Sequence, residues 1–142
     1  MKRKKANGNA AVDPGRSSGE AANCPFCAAE FRAQAIAEFE TVFAVPDARP
    51  ITQGHLLVVP LRHAADFFAM SPAERRDADE LLRVLRERVL REDPTVTGFN
   101  VGTNCGASAG QRVMHAHIHL IPRRDREDGR TVKGVIRRGM SY

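Results

Sequence analysis

The chain has 142 residues, 42% of them hydrophobic, a net charge of +5 and a pI of about 9.6. That length predicts one domain with a core of its own. No apolar run approaches the roughly 20 residues of a membrane span, three cysteines argue against a secreted disulfide framework, and the basic excess lacks the stacking aromatics of a nucleic-acid surface. The expectation is a soluble cytoplasmic protein with neither membrane nor nucleic acid as partner.

Residues 1–22 begin with the basic run KRKK and hold only Met1 and Val12 as large apolar side chains. Such a segment cannot bury enough surface to offset its ordering entropy, so a disordered basic tail is expected there and a folded domain over 23–142. CPFCAAEFRAQAIAEFE, residues 24–40, reads as compact and partly helical. TVFAVPDARP, residues 41–50, reads as a short strand entering a Pro-rich turn, and GHLLVVPLR, residues 54–62, as a strongly apolar strand.

The clearest element is SPAERRDADELLRVLRERVLRED, residues 71–93. Ser71 with Glu74 predicts a capping box, and Pro72 suits the first helical position. Ala78, Leu81, Leu82, Leu85 and Val89 form one apolar stripe, and Pro94 bars extension. VTGFNVGTN then reads as a strand, CGASAGQ as a Gly-rich loop and residues 113–121 as another strand. The polar remainder is expected to wrap the surface. Strand–strand–helix–strand–strand predicts an α+β fold, an antiparallel sheet with one long helix.

Three of the five histidines stand at alternate positions in VMHAHIHLIPR, residues 113–123. On a strand, residues two apart share a face about 6.6 Å from one another. His115, His117 and His119 are thus expected to look one way, and Met114, Ala116, Ile118 and Leu120 into the core. A solvated polar face would explain one histidine better than three in register beside a Gly-rich loop. Two readings remain: a three-histidine metal site, or an imidazole nucleophile with neighbours that bind an anion. Neutral imidazole is a good nucleophile near pH 7. The loop NCGASAGQ offers main-chain N–H groups to a phosphate, and Asn104 and Gln111 add neutral donors. The combination suits phosphoryl or nucleotidyl transfer.

The run from Asn104 to Arg123 resembles the signature of the histidine triad (HIT) family of nucleotide hydrolases and transferases. That signature is His–apolar–His–apolar–His and two further apolar residues, here His115 to Ile121. Asp47, eight residues before His55 in DARPITQGH, and the pair Gly110–Gln111 match the family as well, so the resemblance spans residues 23–142. It implies a histidine-triad-like fold and a covalent nucleotidyl-histidine intermediate. His117 would be the nucleophile at the α-phosphate, with His119 and Gln111 on phosphoryl or bridging oxygens. Asn104 and His55 would line the pocket, and Asp47 would hold the ribose. The substrate class implied is a purine nucleotide conjugate: a dinucleoside polyphosphate such as Ap4A, a nucleoside phosphoramidate or an acyl adenylate. Many branches carry Ser or Thr after that Gln, whereas this chain has Arg112, for which contact with further phosphates and exposure to solvent both stand open.

CPFC has the Cys-x-x-Cys spacing shared by zinc and redox sites. A redox helix needs a buried strand before the first Cys, and SSGEAAN is a poor one; a plain structural pair is also open. Members of the family with an N-terminal Cys-x-x-Cys resemble the set Cys24, Cys27, His63 and His115, which implies a structural Zn2+ site. Cys105 reads as incidental. The resemblance also implies a homodimer. The rivals are a nucleotide-binding or signalling module with negligible turnover, and a hydrolase whose triad holds a metal that activates water.

Overall fold

A computed structural model describes residues 21–125. The tails expected at 1–22 and after Asp125 lie outside the described residues, except for Ala21 and Ala22, which have helical backbone. In chain order the elements are α1 (Ala29–Arg32), β1 (Ala37–Phe39), β2 (Val42–Pro46), β3 (Leu56–Pro60), α2 (Pro72–Glu92), β4 (Val96–Gly102) and β5 (Ile118–Arg124). The strands form one sheet in the order β1-β2-β3-β5-β4, every pair antiparallel. The α+β architecture with one long helix is therefore as the sequence predicts, with β1 as an added edge strand inside the segment read as partly helical.

Strands β2 and β3 are apolar without interruption because both faces of the sheet are covered. Val42, Ala44, Leu56 and Val58 face α2 and join Ala78, Leu81 and Leu85 in the main core, with Leu82 and Val89 packed beside them. Phe43, Val45, Leu57 and Val59 face the other way and are covered by Phe26, Phe31, Ala35 and Leu61. The N-terminal segment thus acts as the second layer. At the start of α2, Ser71 accepts from the Glu74 amide while the Glu74 carboxylate accepts from the Ser71 amide, the capping box expected from sequence.

The strand expected over 113–121 begins only at Ile118. A strand needs a partner, and among the described residues there is none upstream of Ile118: β3 ends at Pro60, which lacks an N–H, and the last β4 pair is Gly102 with His119. Residues 113–117 are instead held by a bond from the Ala116 amide to the Ala64 carbonyl and one from the Thr103 hydroxyl to the His117 carbonyl. Ala116, Ile118 and Leu120 do enter the main core. Met114, expected there too, is 44% exposed because the alternation has not yet been imposed at that point.

Candidate active site and metal centre

His119 pairs with Leu57 across the β3–β5 ladder, so it lies on the face of the sheet turned away from α2. His115, His117, His119 and His55 are all essentially buried. The three triad histidines do not share one ligand site. Each has its own partners, and main-chain groups settle the proton position on two of them.

His115 Nε2 donates to the Pro60 carbonyl at 2.9 Å. A carbonyl only accepts, so in the neutral ring Nδ1 carries the lone pair. That Nδ1 lies 3.4 Å from Cys24 Sγ and 3.4 Å from Cys27 Sγ, and Cys27 Sγ lies 3.4 Å from His63 Nδ1. The four ligand atoms lie within 4.8 Å of one another. A tetrahedral zinc with thiolate and imidazole ligands needs S···N separations of about 3.5 Å, so Cys24, Cys27, His63 and His115 fit a metal ion without rearrangement. The carbonyl on the far nitrogen of His115 is the support that metal-ligating histidines ordinarily have. Without a metal these ligands are electrically unfavourable when charged. Burial, with help from the neighbouring Cys24, pushes the Cys27 thiol up to about 12. Burial also pulls the His115 imidazole down to about 4, the Pro60 carbonyl opposing and the His63 charge adding.

His117 Nδ1 donates to the His115 carbonyl at 2.7 Å. The same reasoning places the lone pair of this ring on Nε2. The Phe26 ring stands edge-on to it at 5.1 Å and stacks on Phe31 at 4.2 Å. His117 itself is 1% exposed. Two cavities formed by described residues lie elsewhere, one beside Cys24 and His63 and one between α2 and β4.

His119 meets a different group. Its Nδ1 is 2.9 Å from His55 Nε2, which is 3.4 Å from Asp47 Oδ2. Asp47 Oδ1 accepts from the Arg49 amide at 2.7 Å. Burial draws the His119 imidazole down to about 3, and the charges of His117 and His55 act in the same sense. Burial also lowers His55, with Asp47 opposing and Arg123 adding.

The Gly-rich loop closes on Gln111. Its Oε1 accepts from the Gly106 amide at 2.8 Å, and its Nε2 donates to the carbonyls of Ala65 and Val113 at 2.6 and 2.9 Å. Gly106 and Gly110 have φ of 92° and 97°, a region that favours glycine. Gln111 therefore shapes the loop through both ends of its amide. Asn104 Nδ2 is buried and has no hydrogen-bond partner among the described residues, a donor suited to an oxygen-rich ligand. Arg112 is exposed and borders a cavity of about 340 Å³ with Cys24, His63 and Met114, away from the Asp47–His55–His119 group.

The structure brings Cys24, Cys27, His63 and His115 close together, and of the residues expected at the substrate it groups Asp47, His55 and His119. Sequence reasoning missed Phe26, Thr103 and the Ile51 amide, which bonds His55 Nδ1 at 3.1 Å. Phe26 was legible as the aromatic inside CPFC. An amide has no sequence signal at all.

A family model described as HIT domain matches residues 28–126. The chain is 32% identical over 112 residues to the protein named Protein hit of Bacillus subtilis, covering 77% of each. It is 35% identical over 91 residues to a protein of Mycobacterium tuberculosis named AP-4-A phosphorylase, covering 62% of this chain and 45% of that one. The crystal structure of a HIT family protein from Bacillus anthracis superposes with a TM-score of 0.68 at 34% identity, over 79% of this chain and 81% of that one.

Proposed function

The chain belongs to the HIT domain family, and from that membership we propose that its domain, residues 23–142, is a nucleotide hydrolase or nucleotidyl transferase. It acts at the α-phosphate of a purine nucleotide conjugate. The observation that carries this reading is the bond from His117 Nδ1–H to the His115 carbonyl at 2.7 Å, which leaves the Nε2 lone pair for attack.

In the first step His117 Nε2 bonds to the α-phosphorus and the bond from phosphorus to the leaving group breaks, its electron pair going with the leaving group. In the second, water or another acceptor attacks phosphorus and the P–N bond to His117 breaks, releasing the nucleoside monophosphate. His119 and the main-chain N–H groups of Ala107 and Ser108, which are not used within the loop, stabilise the non-bridging oxygens. Asn104 supplies its amide to the same ligand, and Asp47 faces the ribose. The name of the Mycobacterium relative supports diadenosine tetraphosphate as a substrate to try first.

The rival in which the triad shares a water-activating metal has no geometric support. His115 Nδ1 faces the thiols, His117 Nδ1 is bonded to a carbonyl, and His119 Nδ1 faces His55. The metal set is instead read as a structural zinc site. When bound, zinc would take Cys24, Cys27, His63 and His115 as ligands and tie the N-terminal turn to the segment that carries His117.

A cytoplasmic homodimer belongs to the same proposal. β4 is an edge strand, and Val84 on α2 and Val101 on β4 are 54% and 56% exposed.

The test is His117→Ala assayed on diadenosine tetraphosphate, an adenosine phosphoramidate and an aminoacyl adenylate. Loss of several orders of magnitude in kcat is expected, together with a nucleotidyl-histidine trapped by alkaline quench in the wild type only. Turnover that survives the substitution overturns the reading.

A further inference from the structure

We infer that the main-chain N–H of Ile51 sets, through His55, the proton position on His119: His119 works as a neutral Nε2–H donor, and His55 is a positioning residue rather than a substrate contact. The inference rests on the reading of His117 as nucleophile and adds a role for two groups behind it.

The chain of bonds starts at a group with no choice. The Ile51 amide donates to His55 Nδ1 at 3.1 Å. That nitrogen therefore holds a lone pair, and the proton of neutral His55 is on Nε2. His55 Nε2 is 2.9 Å from His119 Nδ1, so it donates there. His119 Nδ1 accepts, and the His119 proton is on Nε2. Asp47 Oδ2, 3.4 Å from His55 Nε2 and 4.0 Å from His119 Nδ1, favours an N–H aimed at that corner.

A protonated His119 would carry a second N–H on Nδ1, directly against the N–H of His55. The titratable groups facing the pair are Asp47, His117 and Arg123, and burial outweighs them in favouring the neutral form of both rings. His119 is then a preorganised hydrogen-bond donor to a phosphoryl oxygen, with no proton to move at the moment of reaction.

The contrast with His117 gives the arrangement its chemical sense. Two residues apart, with ring centroids 5.3 Å from one another, the two imidazoles hold opposite tautomers. His117 has Nδ1–H and a basic Nε2, whereas His119 has a basic Nδ1 and Nε2–H. One presents a lone pair to phosphorus and the other a proton to oxygen. The difference comes from a main-chain carbonyl behind the first and a main-chain amide, relayed by His55, behind the second.

The experiment uses the full chain with 15N-labelled histidine. At pH 7 the His119 Nε2 resonance of the wild type is expected to be protonated and Nδ1 to be unprotonated; the reverse, or an averaged mixture, overturns the inference. His55→Phe removes the donor. It is expected to convert His119 to a mixture of tautomers and to lower kcat on diadenosine tetraphosphate by about 10- to 100-fold, with KM within about twofold. His55→Gln offers an amide donor to His119 and is expected to recover most of kcat and the Nε2–H state. A raised KM with unchanged kcat would make His55 a substrate contact instead. If His55→Phe fails to fold, the wild-type spectrum and His55→Gln decide. The spectrum needs no substrate, so a wild type with the expected tautomers and no turnover would sink the proposed function and leave this inference standing.

Discussion

At the scale of single residues, Glu74 shows how a buried charge is tolerated. Its carboxylate accepts from Arg62 at 2.8 Å and from the Ser71 amide at 2.7 Å while being almost wholly buried. Burial alone would raise its proton affinity, but the Arg62 and Ser71 hydrogen bonds outweigh it and hold the carboxyl below its ordinary value. A depressed carboxylate contributes stability above the unfolded pKa, about 4.3, and loses it as pH falls through the folded value. Glu74→Gln is therefore expected to unfold more readily than the wild type at pH 7, by on the order of 1–3 kcal/mol. The difference should shrink steadily below about pH 4. Urea denaturation of both proteins at neutral and acid pH measures this, and a gap that does not change with pH would show that Glu74 acts by packing alone. Asp93 obeys the same sign at the other end of α2: hydrogen bonds from Thr95 and Arg124 hold it down to about 2.

At the scale of elements, the caps decide where α2 starts. Ser71→Ala removes one half of the capping box, and the loss is expected to be about 1 kcal/mol, or roughly 4 °C in the thermal midpoint. Scanning calorimetry checks it, with kcat at 25 °C unchanged because α2 covers the face opposite the triad. A midpoint within error of the wild type would mean the box contributes nothing. This element was legible because its signals are local: Ser71, Pro72, Glu74 and Pro94 each act within one turn. VFAV and LLVV were legible as strands for a similar reason, their length and β-branched content. The short β1 has no such signal, since Ala37–Phe39 is ordered by pairing with β2 and by packing of Ala37 on the main core. The delayed start of β5 was illegible because strand formation depends on neighbours that end at Pro60 and Gly102, far away in sequence. The candidate site divides the same way. Histidine spacing and Cys-x-x-Cys were visible as residue types, whereas the contact of Phe26 with His117, the turning of Arg112 toward the Cys24–His63 cavity and the Ile51 amide depend on three-dimensional placement.

At the scale of the molecule, the four candidate metal ligands come from three parts of the chain. Cys24 and Cys27 come from the N-terminal turn, His63 follows β3 and His115 precedes β5. The same N-terminal segment carries Phe26 and Phe31, which cover Phe43, Val45, Leu57 and Val59 on the face of the sheet away from α2. That cover has little regular structure of its own, since α1 has only four residues. Its attachment therefore depends on side-chain packing and on whatever links the four ligand atoms. Chelation is expected to loosen this layer first. The thermal midpoint should fall by about 10 °C, the equivalent of a few kcal/mol of lost binding, and a dye that binds exposed apolar surface should report the uncovered Phe43 face. Turnover at 25 °C should persist until that loosening sets in, because neither His117 nor His119 belongs to the metal set. Cys24→Ser with Cys27→Ser should reproduce the shift without chelator and should be insensitive to further chelation. Metal content, midpoint and kcat measured on the same samples separate the outcomes. Activity falling in strict proportion to metal at constant midpoint would assign the ion to the chemistry. A midpoint indifferent to chelator in protein shown to have lost its zinc would mean that packing of Phe26 and Phe31 suffices to hold the second layer in place.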